Sequence, residues 1–317
     1  MSGAPRRYAL IGAGAVGGLY GGRLAAAGHE LHVLARSDAE HLRRHGLRIE
    51  SPGADDFIVH PVVHTDPATI PDVDVVLIGL KTTANGDLPA LLGPVARPGV
   101  TVVVLQNGLG VEEVAAAAAP GATVLGAMCF VCASRPGPGH VRLLDYGTIT
   151  LAEHTPGGEP AGVTDAMSAV AGDLERSGTD VMRMPDLVGA RWRKLVWNIP
   201  FNGLTVVLDA GTDELMADPD ARALVVTLMA EVEAAAEATG HALPDGFVDE
   251  MLAYTEAMVA YSPSMKSDYD AGRPLELEAI YANPIRAACA AGCDVPRIEA
   301  LHRQLAFLDR RPRRPPP

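Results

Sequence analysis

The glycine series Gly12-Ala13-Gly14-Ala15-Val16-Gly17 follows directly on the apolar run Tyr8-Ala9-Leu10-Ile11 and opens a helix-like stretch over 15–27. No other feature of the chain restricts its fold as much. In a strand–turn–helix context the first glycine permits the tight turn and the second lets a pyrophosphate approach the backbone. The third lets helix and strand pack closely, with phosphate at the helix N-terminus. Gly12, Ala13, Gly14, Ala15, Val16 and Gly17 are therefore the first candidate cofactor-binding residues. The same glycines exclude another reading. Arg6-Arg7 followed by an Ala/Gly/Leu run ending at Ala25-Ala26-Ala27 has the outline of an export signal, but Gly12, Gly14, Gly17, Gly18, Gly21 and Gly22 interrupt its apolar core.

A dinucleotide-binding turn needs a parallel sheet behind it, and the next stretch supplies the pattern. Leu31 to Ala35, Val73 to Leu80 and Val100 to Leu105 read as further strands, the last two almost continuously apolar, as strands covered on both faces must be. Helical segments at about 85–92 and 111–118 alternate with them, which implies βαβ units. Residues 46–65 and 122–153 read as extra strands broken by Pro/Gly turns. After about Pro185 the pattern becomes helical, at 189–209, 220–239, 246–260, 276–291 and 297–309. The fold class is thus α/β, an N-terminal Rossmann-type doubly wound sheet followed by an all-α C-terminal domain. The expected divisions are residues 1–185, 186–309 and an Arg/Pro-rich disordered tail, 310–317.

With 26 basic against 39 acidic residues the net charge is −13, so a nucleic-acid partner is not expected, although a compact anionic cofactor needs only local charge. No stretch reaches the roughly 18 apolar residues of a membrane span. Four cysteines, at 129, 132, 289 and 293, are too few for a disulfide scaffold and read as reduced thiols of a cytoplasmic protein. Cys129 and Cys132 lie in a strand-like stretch that points them to opposite faces, and no metal site is expected. The apolar helices between 220 and 260 could support a homodimer.

The second strand ends Val33-Leu34-Ala35-Arg36-Ser37, where an NAD site would place a carboxylate for the ribose 2′-hydroxyl. Arg36 offers a guanidinium suited to a 2′-phosphate, which favours NADP; Glu30 and Asp38, on either side, leave some use of NAD open. Lys81 follows the strand Val75 to Leu80 at its carboxyl end, where ligands bind in open α/β sheets. Asn107-Gly108 follows the next strand and is in the first place a turn signal.

In the helical half, Lys194, Asn198 and Asn202 recur every four residues and so share one helix face. Their neighbours are apolar enough to be buried, and buried amides and ammonium groups are costly without partners, so a shared polar ligand or a closed network is implied. Two structural readings compete: Lys194 on a solvated basic face with Arg191 and Arg193, and Asn202-Gly203 as a helix C-cap, with Pro200 kinking or loosening the helix. Glu276 precedes a helical run, and Ser264 follows Ser262-Pro263, where a carboxylate and a hydroxyl are favourable for local reasons alone.

Taken in order, these residues resemble the ketopantoate reductase family over nearly the whole chain to about residue 309. The resemblance rests on the N-terminal glycines, Arg36, Gly79-Leu80-Lys81, Gln106-Asn107-Gly108, Trp192-Arg193-Lys194-Leu195 with Asn198 and Asn202, and Ser264-Met265 ahead of Glu276. It implies a Rossmann domain joined to a helical domain with substrate in the cleft between them, and hydride transfer from NADPH to the C2 carbonyl of ketopantoate, giving pantoate for coenzyme A synthesis. It further implies Lys194 as proton donor, Asn198, Asn202 and Ser264 as substrate ligands, and Asn107 touching both cofactor and substrate. Arg36 and Lys81 become the clamp on the 2′-phosphate, and Glu276 the carboxylate bridging cofactor, lysine and substrate.

The chemistry is consistent with this. Hydride arriving at a carbonyl carbon develops charge on oxygen, which a positioned ammonium both stabilises and protonates. A nearby carboxylate would keep that lysine charged. The chain departs from the family pattern at Asp209-Ala210-Gly211-Thr212-Asp213-Glu214, at Leu277 to Asn283 and at Cys132. These departures leave the catalytic core intact but leave open a different 2-oxo or 3-oxo acid as substrate; a protein that keeps the nucleotide site and senses NADP without catalysis is the alternative of another class.

Overall fold

The structure is a computed structural model describing residues 4–53 and 55–311. The chain divides into two compact units, one of residues 1–106 and 111–187, the other of 107–110 and 188–317. The short loop 107–110 therefore clusters with the helical unit, although it follows a strand of the first.

Among the described residues the first unit is built on ten strands: β1 (Arg7–Ile11), β2 (Glu30–Leu34), β3 (Leu47–Glu50), β4 (Phe57–Val59), β5 (Val62–His64), β6 (Val75–Ile78), β7 (Thr101–Val104), β8 (Thr123–Gly137), β9 (His140–Glu153) and β10 (Val181–Arg183). Along β5-β2-β1-β6-β7-β8 every pair is parallel, the strand order of a doubly wound dinucleotide fold. The order reverses between β1 and β6, and there the carboxyl ends of neighbouring strands leave a crevice for a ligand. Beyond β8 the sheet continues through the long antiparallel hairpin with β9, then β3 and β4, while β10 pairs with β9. Of the extra strands expected at 46–65 and 122–153, β3, β4, β8 and β9 build that extension, while β5 joins the opposite edge beside β2.

Helices α1 (Ala15–Ala26), α2 (Ala39–His45), α3 (Leu88–Leu92), α4 (Val111–Ala118) and α5 (Asp165–Arg176) complete this unit. Val75 to Ile78 and Val102 to Val104 are fully buried, which is why these strands read as unbroken apolar runs.

The second unit contains α6 (Leu187–Val207, its first residue counted with the sheet), α7 (Thr212–Ala217), α8 (Pro219–Ala238), α9 (Phe247–Ala257), α10 (Ser264–Asp270), α11 (Asn283–Ala290) and α12 (Pro296–Arg310). A π-helical turn, Glu278–Ala282, leads into α11. Its core gathers Trp192, Val196, Ile199, Phe201 and Leu204 of α6 with Met229 and Val232 of α8 and Leu301 and Leu305 of α12. Each such side chain contributes about 1.5–3 kcal/mol by leaving water. Arg310 is the last residue of α12, and 312–317 of the expected tail lie outside the described residues. Among the described residues no helix is long and apolar enough to cross a membrane, and the four cysteines are free thiols.

Candidate active site

At the end of β1, Gly12 takes φ +98°, and a Cβ there would lie 2.6 Å from Leu80 N. A Cβ on Gly17 would lie 2.4 Å from Gly12 O, and one on Gly79 2.5 Å from the same oxygen. Backbone therefore packs on backbone where β1, α1 and the end of β6 meet, and Gly79 N–H donates to Ile11 O at 2.8 Å. Gly14 differs. A Cβ on it would meet only Gly79 O, at 3.9 Å, so packing within the protein does not require a glycine there. Protein packing thus leaves open the position where the glycine pattern leads one to expect a pyrophosphate. Gly14 is also the N-cap of α1, with no side-chain cap and no acidic residue in the first turn to compete with an anion. Ala13, Ala15 and Val16 lie on either side of it. These residues fit a nucleotide cofactor.

Arg36 follows β2 with its side chain 76 % exposed, bonded to Asp87 at 3.3 Å. Asp87 ends the 3₁₀ turn Thr82–Asp87, and exposed Lys81 is the residue immediately before that turn. Arg36 and Lys81 thus flank one short segment at the carboxyl edge of the sheet. The two carboxylates that left NAD open are both engaged. Asp38 accepts from Arg135 and from Ser37 Oγ, and Glu30, at the opposite end of β2, accepts from Arg7 at 2.9 Å and faces His32 Nε2 at 3.0 Å.

In the helical unit, α6 continues through Pro200 to Val207, because Phe201, Leu204 and Val206 beyond the proline are buried. This corrects the reading of Asn202-Gly203 as a helix C-cap: both residues are helix interior. It also removes the solvated basic face, since Arg191 is 1 % exposed. Lys194 is half-buried, its Nζ 5.7 Å from the centre of the Trp197 ring. Asn198 and Asn202 are each 2 % exposed. Asn198 Nδ2 donates to Asn107 Oδ1 at 3.4 Å, so the structure brings the loop asparagine to the helix stripe. Asn202 Oδ1 is buried without a hydrogen-bond partner among the described residues. Leaving a buried acceptor unsatisfied costs about 1–3 kcal/mol.

Ser264 is the first residue of α10, half-buried, and its hydroxyl does not cap the helix. The segment before it is held by Thr212, whose hydroxyl donates to Tyr261 O at 3.1 Å and lies 3.3 Å from Tyr261 N. Lys266, two residues on, pairs with Asp209 at 2.8 Å and with Asp270. Burial opposes its charge, but the two carboxylates prevail and raise its pKa. The stretch where the sequence departs from the pattern of the family it resembles, Asp209 to Glu214, thus fixes the chain around Ser264. Glu276 is 4 % exposed and lies two residues ahead of the π-helical turn.

Sequence reasoning missed that turn as a functional element. Leu109 N–H donates to Ala279 O at 2.8 Å, and Asn283 Nδ2 donates to Leu109 O at 2.6 Å. The available signal was Pro284, a proline inside an apparently continuous helix, next to an asparagine.

Comparison with known proteins gives one family. The description "Ketopantoate reductase PanE/ApbA" matches residues 8–156, and its C-terminal counterpart matches 186–309. A 2-dehydropantoate 2-reductase of Nostoc sp. is 47 % identical over 97 % of this chain and 97 % of its own. The crystal structure of 2-dehydropantoate 2-reductase from Geobacter metallireducens superposes with a TM-score of 0.88 at 38 % identity, covering 95 % of this chain and 99 % of that one. At 22 % identity, the ternary structure of D-mandelate dehydrogenase with NADH and anilino(oxo)acetate gives a TM-score of 0.82 over 96 % of this chain and 98 % of that one, a likeness of fold.

Proposed function

The chain belongs to the ketopantoate reductase family, and on that premise we propose that it reduces the 2-oxo group of ketopantoate (2-dehydropantoate) to (R)-pantoate. The proposed cofactor is NADPH and the proposed proton donor is Lys194, and the product would feed coenzyme A synthesis. Asn202 carries the reading on the substrate side. Its orphaned carbonyl asks for a ligand that donates a hydrogen bond, and a hydroxylated acid does so while a hydrocarbon does not.

When bound, the nicotinamide supplies the hydride. Lys194 meets the charge that grows on the carbonyl oxygen and gives up a proton to it. Trp197, three residues on along α6, sets its ring 5.7 Å from the ammonium. Asn198 and Asn107, already bonded to each other, present one amide edge to the substrate, and Ser264 offers a hydroxyl that its own helix does not use. Glu276 is assigned to bridging the cofactor, Lys194 and the substrate. Gly14 and the α1 N-terminus receive the pyrophosphate. Arg36 and Lys81 receive the 2′-phosphate, and the engagement of Asp38 and Glu30 elsewhere supports NADP over NAD.

The test is NADPH consumption with ketopantoate set against a panel of other 2-oxo and 3-oxo acids. Ketopantoate should give the highest kcat/KM. A higher value for another acid would reassign the substrate, and NADPH binding without oxidation by any of them would make the protein a sensor.

A further inference from the structure

The π-helical turn Glu278–Ala282 reaches two parts of the helical unit at once. Asn283 N–H bonds to Glu278 O, five residues back. With that spacing the next carbonyl, that of Ala279, would look to residue 284, which is Pro284 and has no N–H. The orphaned carbonyl is taken by Leu109 N–H at 2.8 Å, and the side chain of Asn283 donates to Leu109 O at 2.6 Å. Both backbone groups of Leu109 are thus held by the turn. Gly108 makes the approach possible: it takes φ +105°, and a Cβ there would lie 2.5 Å from the Ala279 backbone. On its other side the turn holds α6, where fully buried Tyr281 donates from its hydroxyl to Ile199 O at 2.9 Å. Ile199 lies between Asn198 and Asn202. The residue next to Gly108 is Asn107, which accepts from Asn198.

We infer that this turn is a clamp that sets Asn107 against the amide stripe of α6, with Asn283 and Tyr281 as positioning residues for the reduction. The inference rests on the proposed function for its kinetic consequence, but its structural half stands independently. A misplacement of about 1 Å in a positioned group can lower turnover by about a hundredfold, and the 3.4 Å Asn107–Asn198 contact has little to spare.

The test compares Asn283→Asp, which keeps the shape but cannot donate, with Asn283→Ala and Tyr281→Phe, each in the full-length protein. Hydrogen exchange at the Leu109 amide and the Asn198 side-chain amide resonances are followed with kcat, KM for ketopantoate, NADPH affinity and melting temperature. Asn283→Asp should speed exchange at Leu109, shift the Asn198 resonances and lower kcat by about ten- to a hundredfold. NADPH affinity should fall with it, because Asn107 is expected to touch the cofactor as well as the substrate, while melting holds within a few degrees, and Asn283→Gln, which restores a donor, should recover part of the rate. Wild-type exchange and resonances in Asn283→Asp would overturn the clamp. So would a loss of kcat that only follows a loss of folding, with no recovery in Asn283→Gln. If the wild-type protein reduces none of the acids, the function fails and the exchange and resonance data still decide the clamp.

Discussion

The nucleotide half and the helical half of this molecule specify their sites in different ways. In the first, the demands fall on the backbone: Gly12, Gly17 and Gly79 are glycines because any Cβ would collide with main chain. In the second, the demands fall on side chains set into an otherwise apolar helix, with Asn202 left unsatisfied. A backbone site is complete before its ligand arrives, whereas an amide stripe is complete only with it. Substitutions should therefore separate folding from binding in opposite ways in the two halves.

The largest effect is expected where backbone meets backbone. Gly17→Ala places a Cβ 2.4 Å from Gly12 O, and folding of the sheet unit should be lost or weakened by several kcal/mol, seen as a collapse of the melting transition. Gly14→Ala has room, so its melting should stay within about 0.5 kcal/mol of wild type while NADPH affinity falls. If both variants melt alike, the distinction between a packed glycine and a ligand-facing one does not hold. Next in size is Lys194→Ala, which should lower kcat by about 10²–10⁴ with NADPH affinity retained. Near-normal turnover would remove the lysine from the proton transfer.

Arg36→Asp should shift the NADPH/NADH preference by about ten- to a hundredfold, the value of one hydrogen bond to a charged group at about 1.5–3 kcal/mol. An unchanged ratio of kcat/KM for the two cofactors would mean that the guanidinium does not read the 2′-phosphate. A smaller and more diagnostic change is Asn202→Leu. In a closed structural network, losing the amide would destabilise the protein. With the acceptor unsatisfied, a leucine of the same branched shape should leave stability unchanged or raise it by about 1 kcal/mol, while KM for ketopantoate rises. A clear drop in melting temperature would show that Asn202 holds the fold rather than the substrate.

The same contrast explains what could be read from the sequence. The strand within 73–80 and the helix at 111–118 announce themselves through burial on both faces and through apolar spacing. The glycine turn is legible because its requirements are steric and local. Helix α5 was legible but missed: Thr164 caps it, and Met167, Val170, Ala171 and Leu174 mark one buried face. The short α2 buries only Ala39 and Leu42 in a run of charges, and no periodic signal survives at that length. The stretch 276–291 reads as one helix, because hydrophobic spacing cannot distinguish a five-residue hydrogen-bond step from a four-residue one. Which amides meet Asn107 depends on that step, and so on contacts far apart in the chain.

The smallest effect concerns pH, and it separates the halves once more. His29 and His64 in the sheet unit and His302 in the helical unit all have pKa values lowered from 6.5, each chiefly by burial. For His64 the neighbouring His32, with ring nitrogens 3.0 Å apart, and Arg43 add to the effect. For His29, Asp173 acts against burial, and the arginines at 176 and 6 act with it. For His302, Arg303 and Arg286 act with burial, against Glu278 and Glu299. A histidine that is harder to protonate when folded stabilises the fold above its unfolded value and withdraws that stability as pH falls through 6.5 and below. The melting temperature should therefore drop by a few degrees between about pH 7.5 and 5.5. With two of the three histidines in the sheet unit, that unit should weaken more. Both tryptophans, Trp192 and Trp197, lie in the helical core, so tryptophan fluorescence follows that half alone while circular dichroism follows the whole. On acidification the dichroism transition should move to lower temperature before the fluorescence transition does, and His64→Gln should bring the two back together. Transitions that remain superimposed, or a melting temperature flat across that range, would show that these histidines take up protons as readily in the folded protein as in the unfolded chain.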